Sequence, residues 1–491
     1  MHRRKFLGLL PAGLAANRAL AATAAPAWRD QRPNFLFLIA DDLTYRSIRA
    51  INNREVHTPH LDRLAGSGCV FTHCFHQGSW SGAVCVPSRT MLNTGLTAFR
   101  AQQRDEKVPL WGQTLGAAGY DTYICGKWHL SPPMLGRSFR ELGPIGPAMF
   151  ISTPENGAAY NRPSPGNTWR PDDTTLAGHW LSTSLWRNAV PDGIEHSCSI
   201  FADVAADFLV NHLAAREKPF FMYVGFNSPH DPRQSPKEFL ELYPQDKIEI
   251  PANYLPEHSF DQGDARVRDE LLAPFPRTRE AVQLHRREYY ALISYLDAQV
   301  GRILSALVQS GRAANTYVIL TADHGLAVGE HGLMGKQNLY ECSVRMPLIV
   351  SGPGIQPGRV VDELVYQHSM YATTCELAGV AIPSTVEFPS LVPLLHSEKT
   401  LHDAVFCRYI GYQRSVRTTR HKLIVYPKAK QEQLFDLAED PWETRNLVGD
   451  AALADVKRDL WARLLRFQKE LDDPLLLELQ QQLQEVACRV A

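Results

Sequence analysis

Four short stretches of this chain are mostly apolar, and each is followed by residues that carry charge or a ring nitrogen. Residues 34–40 lead into Asp41 and Asp42, and residues 120–125 into Lys127 and His129. Residues 220–226 lead into Asn227 and His230, and residues 316–322 into Asp323 and His324. Residues 34–40 are continuous rather than alternating, which fits a strand covered on both faces, as in a parallel sheet, and the other three are further strand candidates. Between the runs lie helical patterns. Ile200, Phe201, Val204, Phe208 and Leu209 share one helical face, as do Leu292, Leu296, Val300, Ile303 and Leu307. Strands alternating with helices predict an α/β fold. In such open sheets the binding crevice lies beyond the carboxyl ends of the strands. Four strands thus aim carboxylates, imidazoles and an ammonium at one edge, and a site is expected there.

Two irregular stretches interrupt this rhythm. Residues 131–197 are rich in Pro, Gly, Ser and Thr and carry Trp169, Trp180 and Trp186; a second irregular stretch runs over 228–277. Loops of such length are usually functional or disordered, and both are read as insertions over the crevice that carry substrate specificity. After about residue 380 the pattern changes. Residues 405–409, 413–417 and 421–426 read as short antiparallel strands, residues 434–447 close that unit, and a charged amphipathic helix is predicted over 451–471. The expected organisation is a large catalytic domain over 32–380 and a small α+β subdomain over 381–491.

The 51 Lys and Arg against 52 Asp and Glu give a net charge of -1, without the basic field of a nucleic-acid binder. A few local cations would still serve an anionic substrate. Arg3, Arg4 and Lys5 precede a mildly apolar stretch, and Ala19 to Ala21 and Ala22 to Ala24 are candidate cleavage sites. Residues 1–25 therefore read as a signal peptide. The paired arginines and Arg18 fit the twin-arginine route, so an exported protein, periplasmic or extracellular, is expected. The segment is too short for a stable membrane span and Arg18 interrupts it; no other run reads as one. The nine cysteines lack metal-ligand spacing. Buried thiols are expected for most, with Cys69 and Cys74 close enough in sequence to raise the question of a pair.

The most specific stretch is Cys85-Val86-Pro87-Ser88-Arg89, continuing to Thr94-Gly95. On its own it offers a cysteine at a helix start beside an arginine, an environment that activates a thiol. The acidic pairs elsewhere suit a hard cation instead. This stretch resembles the signature of the type I, formylglycine-dependent sulfatase family of the alkaline phosphatase superfamily. The resemblance extends to Asp41-Asp42, Thr58-Pro59-His60-Leu61-Asp62, Gly126-Lys127-Trp128-His129, Pro229-His230, Asp323-His324-Gly325, Gly329-Glu330-His331-Gly332, Gly335-Lys336 and Arg345-Met346-Pro347-Leu348. The fold it implies is alkaline-phosphatase-like: a large domain with a central, mostly parallel sheet, then a small subdomain with an antiparallel one.

The resemblance implies that Cys85 is oxidised to formylglycine by a formylglycine-generating enzyme and used as its hydrate. It implies that Asp41, Asp42, Asp323 and His324, with an oxygen of modified Cys85, hold one divalent ion. Three carboxylates suit Ca²⁺, while His324, where many members carry Asn, keeps Mg²⁺ open. Arg89 would hold the modified side chain, and Lys127 and Lys336 would meet sulfate oxygens as charge develops. His230 and Lys336 are candidates to protonate the leaving alcohol, and His129 to take the proton that expels sulfate. His331 is a further candidate that could serve only to fix its loop. The implied reaction is hydrolysis of a sulfate monoester, with a sulfated carbohydrate as expected substrate. The alternatives are a phosphonate or phosphate ester hydrolase on the same scaffold, a non-catalytic sulfoglycan-binding protein, and a two-metal phosphodiesterase, which would favour Ser or Thr at position 85.

Overall fold

The computed structural model describes residues 32–146 and 196–481 apart from 232, 234, 264, 265, 398 and 399. Its strands are β1 (Asn34–Asp41), β2 (Cys69–Phe75), β3 (Gly78–Ser79), β4 (Asp121–Gly126), β5 (Glu141–Ile145), β6 (Phe220–Pro229), β7 (Thr316–Ala322), β8 (Arg345–Ser351), β9 (Arg359–Tyr366), β10 (Val405–Tyr409), β11 (Gln413–Arg417), β12 (His421–Tyr426) and β13 (Gln431–Asp436). An eight-stranded sheet has the order β5-β4-β6-β1-β7-β8-β2-β9. The four apolar runs are β4, β6, β1 and β7, side by side and parallel. Every residue of β1, β6 and β7 is buried, which is why their sequences do not alternate. β8 runs antiparallel to both β7 and β2, so the sheet is mixed but mostly parallel.

The long helix Arg279–Gln309 starts at Thr278, whose hydroxyl accepts from the Ala281 N–H at 3.1 Å. Leu292, Leu296, Val300, Ile303 and Leu307 are all buried, as the periodicity required. By length and composition alone this helix could cross a membrane, contrary to the expectation that no later segment would qualify. Its most apolar window is 72% buried inside the protein, where it packs against the Ser197–Asp207 helix and β6. Trp111 anchors the core beneath the sheet. Its ring meets Phe37 edge-on at 4.8 Å and its indole N–H donates to Thr374 at 2.7 Å.

A second, five-stranded sheet has the order β13-β12-β11-β10-β3. β10, β11 and β12 match the expected segments, and β10 to β13 pair antiparallel. The helix Ala454–Glu470 covers this sheet with Leu460, Trp461 and Leu464, against Phe406, Val416 and Leu423. β3 joins the same sheet by parallel pairing with β10, tying it to the segment that leads into Cys85. The eight described cysteines are free and buried. Cys69 and Cys74 open and nearly close one strand, roughly 16 Å apart at strand rise, far beyond disulfide reach.

Candidate active site

The site begins where β1 and β7 end. Ala40 pairs with Ala322 in parallel register, so Asp41 and Asp323 emerge side by side. Asp42 follows in the left-handed region, φ 69°, a strained conformation typical of functional sites. Its carbonyl accepts from the Tyr289 hydroxyl at 2.5 Å, and its N–H donates to Asp323 Oδ1 at 3.4 Å.

The buried helix Cys85–Thr94 supplies the next layer. Arg89 is fully buried; its Nε donates to Asp323 Oδ2 at 2.9 Å and its Nη1 to the Lys127 carbonyl at 2.8 Å. Burial disfavours the guanidinium charge, but Asp323 foremost holds its pKa above the ordinary value. Ser88 donates to the Asp323 carbonyl at 2.6 Å, and the Gln367 amide donates to the same carbonyl at 3.0 Å.

β4 contributes Lys127 through a close approach that only glycine allows. Gly126 has φ 91°, and a Cβ there would lie 1.9 Å from the Gly225 carbonyl oxygen. A Cβ on Gly225 would in turn lie 2.3 Å from the Lys127 carbonyl oxygen. Lys127 Nζ then ion-pairs with Asp41. His129, at φ 61°, places Nδ1 3.2 Å from Cys85 Sγ. Burial, then the Lys127 charge, push its pKa down to about 4, so the ring is neutral at pH 7.

β6 delivers His230, whose Nδ1 lies 2.6 Å from the Asp231 carbonyl and Nε2 3.8 Å from Asp42 Oδ2. A carbonyl only accepts, so Nδ1 carries the proton and Nε2 faces Asp42. Lys336 Nζ donates to Asp42 Oδ1 at 2.8 Å and lies 4.0 Å from Asp269. His331 stands outside this group. It stacks on Tyr340 at 3.7 Å and 11°, with Nε2 2.9 Å from the Asn253 amide.

The donor set fits a cation. Asp41 Oδ1, Asp42 Oδ2 and His324 Nε2 are buried and have no hydrogen-bond partner. His324 Nδ1 lies 3.0 Å from the Gly325 carbonyl, so it holds the proton and leaves the Nε2 lone pair 3.6 Å from Asp323 Oδ1 and 3.9 Å from Asp41 Oδ1. A lone pair facing two carboxylates is a geometry that a cation between them would satisfy. Without a cation, Asp323 outweighs burial and raises the His324 pKa, so a proton and a metal ion compete for the same nitrogen. Ligand atoms of Asp41, Cys85, Asp323 and His324 lie within 4.8 Å of one another, and so do those of Asp41, Asp42 and His230. Asp41, Asp42 and Asp323 are already matched by Arg89, Lys127 and Lys336. An anionic substrate therefore meets net positive charge only once a further cation is bound.

Cys85, His129, His230 and Lys336 open onto a pocket of about 330 Å³, walled by Val267, Arg268, Asp269 and Gln337. Two larger surface grooves, beside His60 and Arg302 and beside Arg104 and Arg137, bring none of these groups together. The Sulfatase family matches residues 33–380, and the C-terminal region of N-sulphoglucosamine sulphohydrolase matches residues 329–470. The chain belongs to the sulfatase family. It is 29% identical over 444 residues to a sulfatase of Formosa agariphila, covering 84% of this chain and 83% of that one. To the N-acetylglucosamine-6-O-sulfatase of Bacteroides thetaiotaomicron it is 25% identical over 536 residues, covering 93% and 90%. Its fold is also that of the phosphonate monoester hydrolase from Silicibacter pomeroyi, with a TM-score of 0.70 at 23% identity over 90% of this chain and 97% of the other.

This sulfatase is a sulfuric ester hydrolase of the alkaline phosphatase superfamily, and its family implies a metal and a formylglycine. Every candidate residue from the sequence except His331 falls in one cluster. Sequence reading missed Gln367, Tyr289 and the pocket wall. Gln367 and Tyr289 reach the site from distant segments and carry no local motif. The irregular stretch 228–277 was expected over the crevice, and it supplies Val267, Arg268 and Asp269 there. Trp169, Trp180 and Trp186 lie outside the described residues.

Proposed function

We propose that this sulfatase releases sulfate from a sulfated carbohydrate, using a formylglycine made from Cys85 and one calcium ion held by Asp41, Asp42, Asp323 and His324. The observation that carries this reading is the placement of Cys85. It starts a buried helix, touches His129 and shares a buried cluster with two aspartates and His324. Three hard carboxylates favour calcium, and the B. thetaiotaomicron relative, by its name a carbohydrate sulfatase, supports the substrate class. When bound, the metal supplies the positive charge that admits an anionic ester and acidifies the attacking group. Formylglycine at position 85 would supply, as its hydrate, a nucleophilic hydroxyl and a second, ionisable one beside His129.

The chain's own residues do the rest. Neutral His129 accepts the proton beside position 85. Arg89 fixes Asp323, while Lys127 and Lys336 present fixed charge to the sulfate oxygens. His230 commits Nδ1–H to the Asp231 carbonyl, so it can protonate a leaving alkoxide only from Nε2, as an imidazolium. Residues 1–25 direct export by the twin-arginine route in this reading, and cell fractionation tests it.

Mass spectrometry of the Cys85 peptide from active protein is the decisive test. An aldehyde or its hydrate is expected, and full activity with an intact thiol would refute the reading. The likeness in fold to a phosphonate hydrolase makes phosphonate monoesters the competing substrate. Paired assays on 4-nitrophenyl sulfate and a phenylphosphonate monoester should favour the sulfate.

A further inference from the structure

Two stretches of the chain take no part in the reaction, Arg345-Met346-Pro347-Leu348 and residues 434–447, yet they meet at Glu341. Glu341 starts the single helical turn Glu341–Val344 that leads into β8. Lys422 Nζ, from β12, donates to Glu341 Oε1 at 3.1 Å and to Glu443 Oε1 at 2.8 Å. The Glu341 N–H donates to Glu443 Oε2 at 2.8 Å. Arg345 Nη1 donates to Glu341 Oε2 at 3.3 Å, and Arg417 Nη2, from the end of β11, lies 3.6 Å from the same oxygen. Glu341, Lys422, Glu443 and Arg417 are all buried. Burial opposes both charges of the central pair. Even so, Glu443 and Glu341 keep the Lys422 ammonium above its ordinary pKa, and Lys422, Arg417 and Arg345 keep the Glu341 carboxyl below its own.

The segment gripped in this way supports both loops of the metal site. On the first loop, the Thr44 hydroxyl donates to the Cys342 carbonyl at 2.8 Å, and the Tyr45 N–H donates to the Arg345 carbonyl at 3.2 Å. The Thr44 N–H also donates at 3.1 Å to the Tyr289 hydroxyl that holds the Asp42 carbonyl. On the second loop, the Gly325 N–H donates to the Ser343 carbonyl at 2.8 Å, packed so closely that a Cβ on Gly325 would lie 2.0 Å from the Cys342 carbonyl oxygen. His76 adds a side-chain support. Its Nδ1 accepts from the Gly78 N–H at 2.9 Å, so Nε2 carries the proton toward the Ser343 carbonyl at 3.3 Å, and its ring meets that of His324 edge-on at 6.3 Å. Asp42, at its left-handed φ of 69°, needs such support, because strained backbone persists only where the surroundings over-determine it. A single helical turn does not hold itself. β8 fixes its far end, and the ion cluster at Glu341 fixes the near one.

We infer that Lys422, Arg417 and Glu443 of the C-terminal sheet unit are positioning residues for the metal site, acting through Glu341 on the segment that carries the Asp42 and His324 loops. This rests on the metal-dependent sulfatase reading and deepens it: the small sheet does not merely pack beside the catalytic sheet but sets the geometry of its cation ligands.

Calcium affinity tests this apart from catalysis. Calcium chloride is titrated calorimetrically into full-length protein stripped with EDTA, at a temperature where circular dichroism shows every variant folded. Lys422→Met should weaken the calcium Kd by about tenfold or more, the scale seen when a group supporting a metal ligand is removed. Thr44→Val leaves the ion cluster intact and cuts only its link to the first loop, so it should weaken the Kd as well. The control is the buried Arg414–Asp473 pair, which ties β11 instead to the chain just beyond the helix Ala454–Glu470. Asp473→Asn should lower Tm and leave the calcium Kd unchanged, as a distant and independent site does. Unchanged affinity in Lys422→Met and Thr44→Val would overturn the inference by making the cluster an interface lock. An equal loss of affinity in Asp473→Asn would overturn it by tying calcium binding to overall stability. Wild-type protein that binds neither calcium nor magnesium chloride would overturn the metal site itself, and the inference with it.

Discussion

The floor of the pocket and its wall are built on opposite terms. On the floor, Asp41, Asp42, Asp323, His324 and Arg89 are wholly buried, fixed by strand ends and one helix start. On the wall, Val267, Arg268 and Asp269 come from an irregular stretch, and Arg268 keeps a third of its side chain exposed. Floor charges pair across the sheet edge, whereas on the wall Arg268 bridges Asp231 and Asp269, with Lys336 linking the two regions at 2.8 Å from Asp42 and 4.0 Å from Asp269. The difference teaches that sheet edge and helix start fix the reacting groups rigidly, while the mouth of the pocket is built from a loop whose sequence carries no motif.

Expected effects of perturbing the floor are the larger ones. Cys85→Ala should lower kcat on 4-nitrophenyl sulfate by about 10⁴-fold or more, as loss of a covalent nucleophile does. Steady-state assays of purified, metal-loaded protein check this, and activity within a hundredfold of wild type would place the nucleophile elsewhere.

His230 stands between the two regions, and its effect should depend on the leaving group. A sugar alkoxide needs a proton to depart and a nitrophenolate does not. His230→Ala should therefore cost about 10² to 10⁴ on a sugar sulfate and much less on 4-nitrophenyl sulfate. A graded aryl sulfate series separates acid catalysis from a lost contact, since only the former steepens the dependence of rate on leaving-group pKa.

Calcium should divide floor from wall in stability rather than rate. Ligand at a hundredfold excess over its Kd stabilises the native state by about 2.7 kcal/mol, visible as a calcium-dependent rise in Tm. Arg268→Met should retain that rise and Asp42→Asn should lose most of it. A rise that survives in Asp42→Asn would remove Asp42 from the metal site.

The smallest effect concerns the frame beneath both regions. His331 and His368 are buried, and burial before all else keeps their pKa well below the ordinary histidine value. The unfolded chain takes up protons at these rings below about pH 6.5 while the folded protein does not. Stability should accordingly fall as pH drops below that value, by up to about 1.4 kcal/mol per pH unit for each ring. The floor carboxylate Asp41, whose pKa Lys127 foremost holds well below the usual range against burial, adds an acid-dependent loss only below its unfolded value of about 3.9. The window between there and about 6.5 therefore isolates the histidines. Denaturant melts at several pH values should show a shallower slope in His368→Leu, whose ring nitrogens have no hydrogen-bond partner in the native protein. An unchanged slope would assign the acid sensitivity to other groups.

Much of this was legible in the sequence, and the exceptions have causes. β1, β6 and β7 declared themselves because burial of every residue favours apolar side chains at successive positions, and β4, half-exposed only at Asp121, shows the same pattern more weakly. β2 carries Thr72 and His73, and β9 carries Asp362 and Glu363 on a half-exposed edge, so neither reads as a continuous apolar run. Asp41, Asp42, Asp323 and His324 were found because each pair directly follows a strand. The left-handed turns at Asp42 and His129 were not, since both residues are of ordinary type and adopt positive φ under tertiary constraint.

By itself the sequence determined the reaction class, because chemistry of this kind needs particular residue types at strand ends and at one helix start. Only the tertiary structure decided how charges are shared. Arg268 is 37 residues from Asp231 and next to Asp269, yet it bridges both; Gln367 lies 279 residues from Ser88 and hydrogen-bonds to it. Such pairings depend on which loop crosses which strand end. Local propensity and hydrophobic period record whether a residue is buried, not what it meets when it gets there.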